Sequence, residues 1–263
     1  MARLKSAEQI AGIWRSGQIA GLLQFEIAEQ LKPGMTTGEV DAIGAEFIAK
    51  HGAIPAFLGY NGYPGNICVS VNQEVVHGIP GSRVINAGDV VSVDVGVVLD
   101  GYFSDHAKTY FVGDQANMPE KITRLLSGTR RSLHTGIDAL RAGEPLRLAS
   151  RAIEQELRRH KLAVIRELTG HGTGTALHEE PTVYNFDPGG RRPLVENGMV
   201  LAIEPMAALG SENVLLAADN WTYYTADGSL AAHFEHTVAL WDGQVMTLTD
   251  PADESAKLAF GNG

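Results

Sequence analysis

The sequence predicts an α+β protein built as two related halves around antiparallel strands, and three observations carry that expectation. A Val-rich stretch from Val90 to Phe111 reads as a β-hairpin. Pairs of helices lead into strands twice along the chain, in the same order. Acidic and imidazole side chains interrupt strands that are otherwise apolar.

The hairpin organises the rest. Its arms are rich in Val, Tyr, Phe and Thr, and between them lies Asp100-Gly101, the dipeptide best suited to a two-residue type I′ turn. With Leu99 facing Tyr102 across that turn, Asp94 lies opposite Ala107 and Asp105 opposite Gly96, so the two acids share one face as diagonal neighbours. Gly96 and Ala107 are small, which leaves open space above that face. Asp is depleted in strands and an unpaired buried carboxylate is costly. Ions held between the pair are one explanation, and an ordinary solvated strand face is the other.

Ahead of the hairpin, Ser6-Ala7-Glu8-Gln9 is a capping box. Ile10, Ile13, Ile19, Leu23, Ile27 and Leu31 keep helical spacing, predicting a helix from Ser6 to Leu31. Lys32-Pro33-Gly34 ends it. A second box, Thr36 to Glu39, starts a helix that runs through Val40, Ile43, Phe47 and Ile48 to a His51-Gly52 stop, with His51 as a cation on the helix C-terminus. Residues 55–66 form a Pro/Gly-rich loop carrying Phe57, Tyr60 and Tyr63, aromatics expected to plug the edge of a core. Ile67 to Val71 is a short strand. His77 follows on a stiff Gly-Ile-Pro turn, a position suited to meeting a ligand.

Beyond the hairpin, the apolar stripe Ile122, Leu125, Leu126, Leu133, Ile137 and Leu140 predicts a helix over roughly Pro119 to Arg141, and a further one spans about Pro145 to Lys161. Leu31-Lys32-Pro33-Gly34 matches Leu140-Arg141-Ala142-Gly143 in place, as Lys50-His51 matches Arg159-His160. The halves meet at about residue 115, giving 1–115 and 116–263 within a single domain of 263 residues. His171 sits in a Gly-rich bend and His178 follows soon after. Met199 to Met206 reads as a strand interrupted by Glu204 and stopped by Pro205. Ala231 to Leu240 reads as one more strand, with His233, Glu235 and Thr237 on a shared face.

With a formal charge of −10, the chain is not built to bind phosphate backbones or anionic lipid in general. One cysteine, Cys68, excludes an internal disulfide framework and fits a reducing compartment. No run is long enough to span a bilayer, and the first residues contain no apolar signal core. A cytoplasmic monomer without specific nucleic-acid or membrane binding is expected. Asp94, Asp105, His171, Glu204 and Glu235 together form an oxygen-rich donor set with one imidazole and no thiolate, suited to two hard or borderline divalent ions rather than a structural zinc.

The motifs HGIP from His77, VDVGVVLDGYFSD around Asp94 and Asp105, GHGTG around His171, HEEP from His178, IEPM from Ile203 and FEHT from Phe234 span most of the sequence. In these the chain resembles type I methionine aminopeptidases, the short form within the pita-bread metallohydrolases of peptidase family M24. The resemblance implies two pseudo-symmetric αβ halves around a curved central antiparallel sheet and a dinuclear site holding Co, Mn, Fe(II), Zn or Ni. It implies that Asp94 chelates one ion, that His171 and Glu204 hold the other, and that Asp105 and Glu235 bridge them. His77, His178 and Glu204 would be the catalytic groups, His77 and His178 touching the substrate. Tyr60, Tyr63, Cys68, Leu177 and Trp221 would line the methionine pocket. The substrates implied are N-terminal methionyl peptides with a small second residue, including nascent chains at the ribosome.

Several positions depart from that pattern. His106 and Ala107 stand where small hydroxyl residues are usual, and alternation turns His106 away from the metal face. Leu177 replaces an aromatic; Phe57 and Val76 take places often held by cysteine. His233 replaces an amide within reach of Glu204 or Glu235. These changes bear on the pocket, so an Xaa-Pro aminopeptidase of the same fold and a catalytically silent binding module are the competing functions.

Overall fold

Ser6 and Thr36 start the first two helices as their capping boxes predict. Ser6 Oγ accepts from the Gln9 amide at 3.3 Å and Gln9 Oε1 accepts from the Ser6 amide at 2.9 Å, which opens α1, Ala7–Gln30. Thr36 and Glu39 make the same reciprocal pair at 3.1 and 2.7 Å to open α2, Thr37–Lys50. His51 closes it with Nδ1 2.8 Å from the Phe47 carbonyl. In the second half α3 spans Glu120–Asp138 and α4 Arg147–Arg159, each a few residues shorter than its predicted range. A short α5, Glu254–Phe260, capped by Asp253, was not foreseen. These elements belong to a computed structural model that describes residues 2–261.

The hairpin forms in the predicted register. Val90–Leu99 pairs antiparallel with Tyr102–Phe111, Leu99 against Tyr102, Asp94 against Ala107 and Gly96 against Asp105. Asp100 and Gly101 both take positive φ, 53° and 81°, as a type I′ turn requires. Cys68–Val71 adds along the other edge of Val90–Leu99, with Cys68 opposite Asp94. Alternation then separates two faces. Val69, Val91, Val93, Val95 and Val97 are buried against Ile19, Leu23 and Ile27 of α1 and Val40 and Ile48 of α2. Each such valine contributes roughly 1.5–3 kcal/mol on burial, which outweighs the ~1 kcal/mol span of strand preferences that disfavours Asp.

The second half repeats the plan. Val200–Ile203 lies between Gly170–Gly172 and His236–Trp241 in a five-stranded antiparallel sheet. Leu201, Ile203, Val183, Val238 and Leu240 pack under α3 and α4. With a helix pair covering the outer side of each half and antiparallel strands within, this is the pita-bread arrangement.

The predicted strand Ala231 to Leu240 is broken in two. Ala231–His233 pairs with Met206–Ala208, whereas His236–Trp241 pairs with Val200–Ile203, so the chain changes sheets at Phe234-Glu235. Its partner changes sheets at Glu204-Pro205, where the missing proline amide ends the ladder. Glu204 and Glu235 therefore sit in paired interruptions, free of strand geometry. Where the halves meet, hydroxyls replace the ladder. Thr237 Oγ1 accepts from the Asp105 amide and donates to its carbonyl, at 2.9 and 2.8 Å. Thr109 Oγ1 makes the same two bonds to His233, at 2.9 and 2.7 Å.

Candidate metal centre

On the inward face of the hairpin sheet, side chains fall into rows. Ser92 and Thr109 share a hydroxyl bond at 2.8 Å; Cys68, Asp94 and Ala107 form the next row; Gly96 and Asp105 form the last. The space expected above Gly96 is not open. A side chain there would run into the Phe57 ring, since a Cβ would lie 2.5 Å from Phe57 Cε1. Gly96 thus admits an aromatic wall beside Asp105.

The second half brings its donors to the same face. Atoms of Asp105, His171 and Glu235 lie within 4.8 Å of one another. His171 Nε2 stands 3.9 Å from Asp105 Oδ2 and 3.4 Å from Glu204 Oε1. Asp94 lines the same cavity with Glu204 and Glu235. All five residues predicted as ligands converge. Each carboxylate is nearly excluded from water, Asp94 and Glu204 at 9% exposure, Asp105 at 4% and Glu235 at 1%.

Burial raises Asp94 to about 6, with Glu204 adding to the shift. It pushes Asp105, Glu204 and Glu235 well above the usual carboxylate range, and neighbouring carboxylates reinforce the effect on Asp105 and Glu235. The histidines offer no counter-charge. Burial lowers His171 to about 3 and His77 to about 4, and it lowers His178 and His233 as well. Asp94 Oδ1 and Glu235 Oε1 are buried without a hydrogen-bond partner. Crowded carboxylates, neutral imidazoles and orphaned oxygens fit divalent cations, which satisfy all three conditions at once. Metal binding must displace protons from these groups, so affinity is expected to fall as pH drops through about 6, where Asp94 takes up a proton. Calorimetry in buffers of different ionisation enthalpy measures the proton release; a pH-independent affinity would show that these carboxylates do not hold the metal.

The cavity above the acids is lined by Phe57, Tyr60, Tyr63, Cys68, Leu177 and Trp221, with His77 and His178 at its sides. It holds about 80 Å³. The aromatics expected to plug a core edge instead form this wall, held by Tyr63 OH donating to the Gly78 carbonyl at 2.9 Å. Tyr63 meets Trp221 edge-on at 5.1 Å between centroids. His178 Nδ1 lies 2.8 Å from Tyr60 OH, and its ring stands 4.2 Å from that of His171. His77 takes φ 58°, which turns its ring toward Trp221 and Tyr223.

The departures from the expected pattern resolve differently. His106 points away from the acids, stacks on His236 at 4.5 Å, and bonds through Nδ1 to the Glu235 carbonyl. Val76 belongs to a core cluster with Ile165 and Met206, outside the cavity. Phe57 lines it. His233 Nε2 lies beneath the acids, 3.6 Å from Glu204 Oε2 and 3.9 Å from Glu235 Oε2. Of the two positions where cysteine is usual, Phe57 bears on the pocket as expected and Val76 does not; nothing in the sequence signalled the hydroxyl bridges made by Thr109 and Thr237.

Comparison with known proteins places the whole fold. The pattern defining metallopeptidase family M24 matches residues 11–241. Methionine aminopeptidase 1 of Bacillus subtilis is 46% identical over 236 residues, covering 90% of this chain and 94% of its own. A methionine aminopeptidase of Borreliella burgdorferi is 45% identical over 249 residues, 94% of this chain and 98% of that one. The crystal structure of methionine aminopeptidase from Rickettsia prowazekii superposes with a TM-score of 0.91 at 34% identity, covering 95% of this chain and all of that one. Prolidase from Pyrococcus furiosus shares the fold, with a TM-score of 0.75 at 21% identity over 94% of this chain and 65% of its own. An acid cluster shared between two sheet interruptions and a hairpin, on a fold matched from end to end, has one family to answer to: the chain belongs to metallopeptidase family M24.

Proposed function

We propose that this chain is a methionyl aminopeptidase that removes N-terminal methionine from peptides and nascent proteins with a small second residue, by metal-dependent hydrolysis. The observation that carries the reading is the meeting of Asp94, Asp105, His171, Glu204 and Glu235 on the floor of a cavity walled by Tyr63, Leu177 and Trp221. The whole chain acts as one catalytic domain, a monomer in the cytoplasm that meets nascent chains as they leave the ribosome. The lone buried Cys68 supports a reducing compartment.

Asp94 would hold one divalent ion and His171 and Glu204 a second, with Asp105 and Glu235 available to both. Such ions supply hydroxide near neutral pH and polarise a carbonyl. Glu204 takes the proton of the attacking water and delivers it to the departing amine. Neutral His178 donates to the scissile carbonyl oxygen, where charge develops in the transition state. His77 touches the peptide from the opposite side of the cavity. Tyr63, Cys68, Leu177 and Trp221 enclose the thioether, and the aromatic faces favour sulfur. The free amine must reach the acids at the floor, which confines cleavage to the first residue.

Met-Ala-Ser and Ala-Pro peptides separate this from an Xaa-Pro enzyme. The metal-loaded protein is expected to cleave Met-Ala-Ser, to lose the activity in EDTA and to regain it with Mn, Co or Fe(II). Comparable turnover of Ala-Pro would transfer the chain to the other specificity; no hydrolysis with any of these ions would leave a binding module.

A further inference from the structure

We propose that the buried Lys5–Glu179 ion pair is a clamp on the turn that carries Leu177 and His178, making the amino-terminal arm a positioning element of the substrate pocket. This rests on the methionyl aminopeptidase reading for its kinetic consequences but not for its geometry. The turn joins Gly170–Gly172 to Glu179–Val183, whose last ladder contact toward it is Gly172 opposite Glu179. Past that pair a carboxylate does the holding. Glu179 Oε1 accepts from the Thr175 amide at 2.8 Å, the Thr175 hydroxyl at 2.7 Å and the Ala176 amide at 3.0 Å.

The other oxygen faces the arm. Glu179 Oε2 lies 2.6 Å from Lys5 Nζ, and the two side chains are 6% and 1% exposed. The same ammonium donates to the Arg3 carbonyl at 2.6 Å, while the Lys5 amide donates to the Gly198 carbonyl at 2.7 Å. Arm and sheet are thus fixed to each other. Arg3 also reaches the Thr175 hydroxyl at 2.9 Å. The Lys5 stem lies over Gly174, where a Cβ would meet Lys5 Cε at 3.0 Å and Ile13 Cδ1 at 2.5 Å. From this clamped base, Leu177 enters the pocket wall at 2% exposure and His178 reaches Tyr60. His171, a metal-centre residue, stands on the strand at the other end of the turn.

An ion pair this buried is a weak contributor to stability in itself, yet removing one partner strands a charge. The clamp therefore specifies where the turn sits more than how tightly the protein folds. Lys5→Met leaves the Glu179 carboxylate without its cation. Glu179→Gln leaves the ammonium without its anion but keeps an oxygen for the Thr175 and Ala176 amides. Together they leave no unpaired charge and retain that acceptor.

The test compares Lys5→Met, Glu179→Gln and the double variant in the full, Mn-loaded chain. The readouts are KM and kcat on Met-Ala-Ser, bound metal, and hydrogen exchange of amides 174–178. Each single variant is expected to raise KM about tenfold or more through displacement of Leu177, with faster exchange in the turn and unchanged metal content. The double variant, which lacks the clamp but strands no charge, is expected to keep a raised KM and faster exchange, with losses no greater than those of the worse single. Wild-type KM and exchange in the singles would overturn the clamp. So would a double variant with wild-type KM and exchange, which also decides the matter if a single variant fails to fold. If the parent protein does not cleave Met-Ala-Ser, the functional reading fails, while hydrogen exchange still tests the clamp.

Discussion

Glu235→Ala is expected to lower kcat/KM on a methionyl peptide by about 10³-fold or more, ~4 kcal/mol of transition-state stabilisation, even in excess metal. Glu235 is the least exposed of the four acids, and its backbone is tied to the hairpin through its amide on the Ala107 carbonyl at 2.9 Å. Placed near both Asp105 and His171, it has no substitute among the neighbouring donors. Calorimetric titration should show fewer ions bound per chain than in the parent. Unfolding is not the cause to expect. Glu235 Oε1 is a buried oxygen without a partner, so in the chelated protein its removal should leave the melting temperature unchanged or higher. Activity within tenfold of the parent would remove Glu235 from the ligand set.

Glu204→Gln should separate holding a metal from moving a proton. The amide keeps an oxygen 3.4 Å from His171 Nε2, so a site can still assemble, but it cannot carry the proton from water to the departing amine. The expected loss is about 10²–10⁴-fold in kcat, the usual worth of general acid-base assistance, with KM changed little. His233 beneath Oε2 gives the replacement a second polar neighbour and favours retention of its orientation. Steady-state kinetics with metal content measured in parallel decide the outcome. Loss of metal in step with activity would make Glu204 a ligand only.

How much of this was written in the sequence depended on how local each determinant is. The Asp100-Gly101 turn fixes the pairing of residues a few positions away, and Asp94, Asp105, Cys68 and Gly96 all fall where alternation puts them. The capping boxes at Ser6 and Thr36 likewise act within one turn. The reading of Ala231 to Leu240 as one strand failed, because a strand that changes sheets shows the same apolar pattern as one that does not. Convergence of the five ligands came from motif resemblance, since the contacts joining distant segments have no period to read. Lys5 and Glu179 are the extreme case: two ordinary surface-type residues 174 positions apart, recognisable as partners only once burial removes the water between them. The aromatic loop was ambiguous for another reason. Phe57 and Tyr63 are buried, as a plug would be, but the surface they cover is a cavity wall.

The joint between the halves carries a last consequence. Thr109 and Thr237 span it with rotatable hydroxyls, while Asp105 lies on one side and Glu235 on the other. A hydroxyl can swing to follow a shifting amide and carbonyl, which a rigid pair of facing strands cannot do. Glu235 itself is held more directly, by its amide on the Ala107 carbonyl and its carbonyl on His106, so the joint would keep Asp105 and Glu235 together while the flanking segments adjust around them.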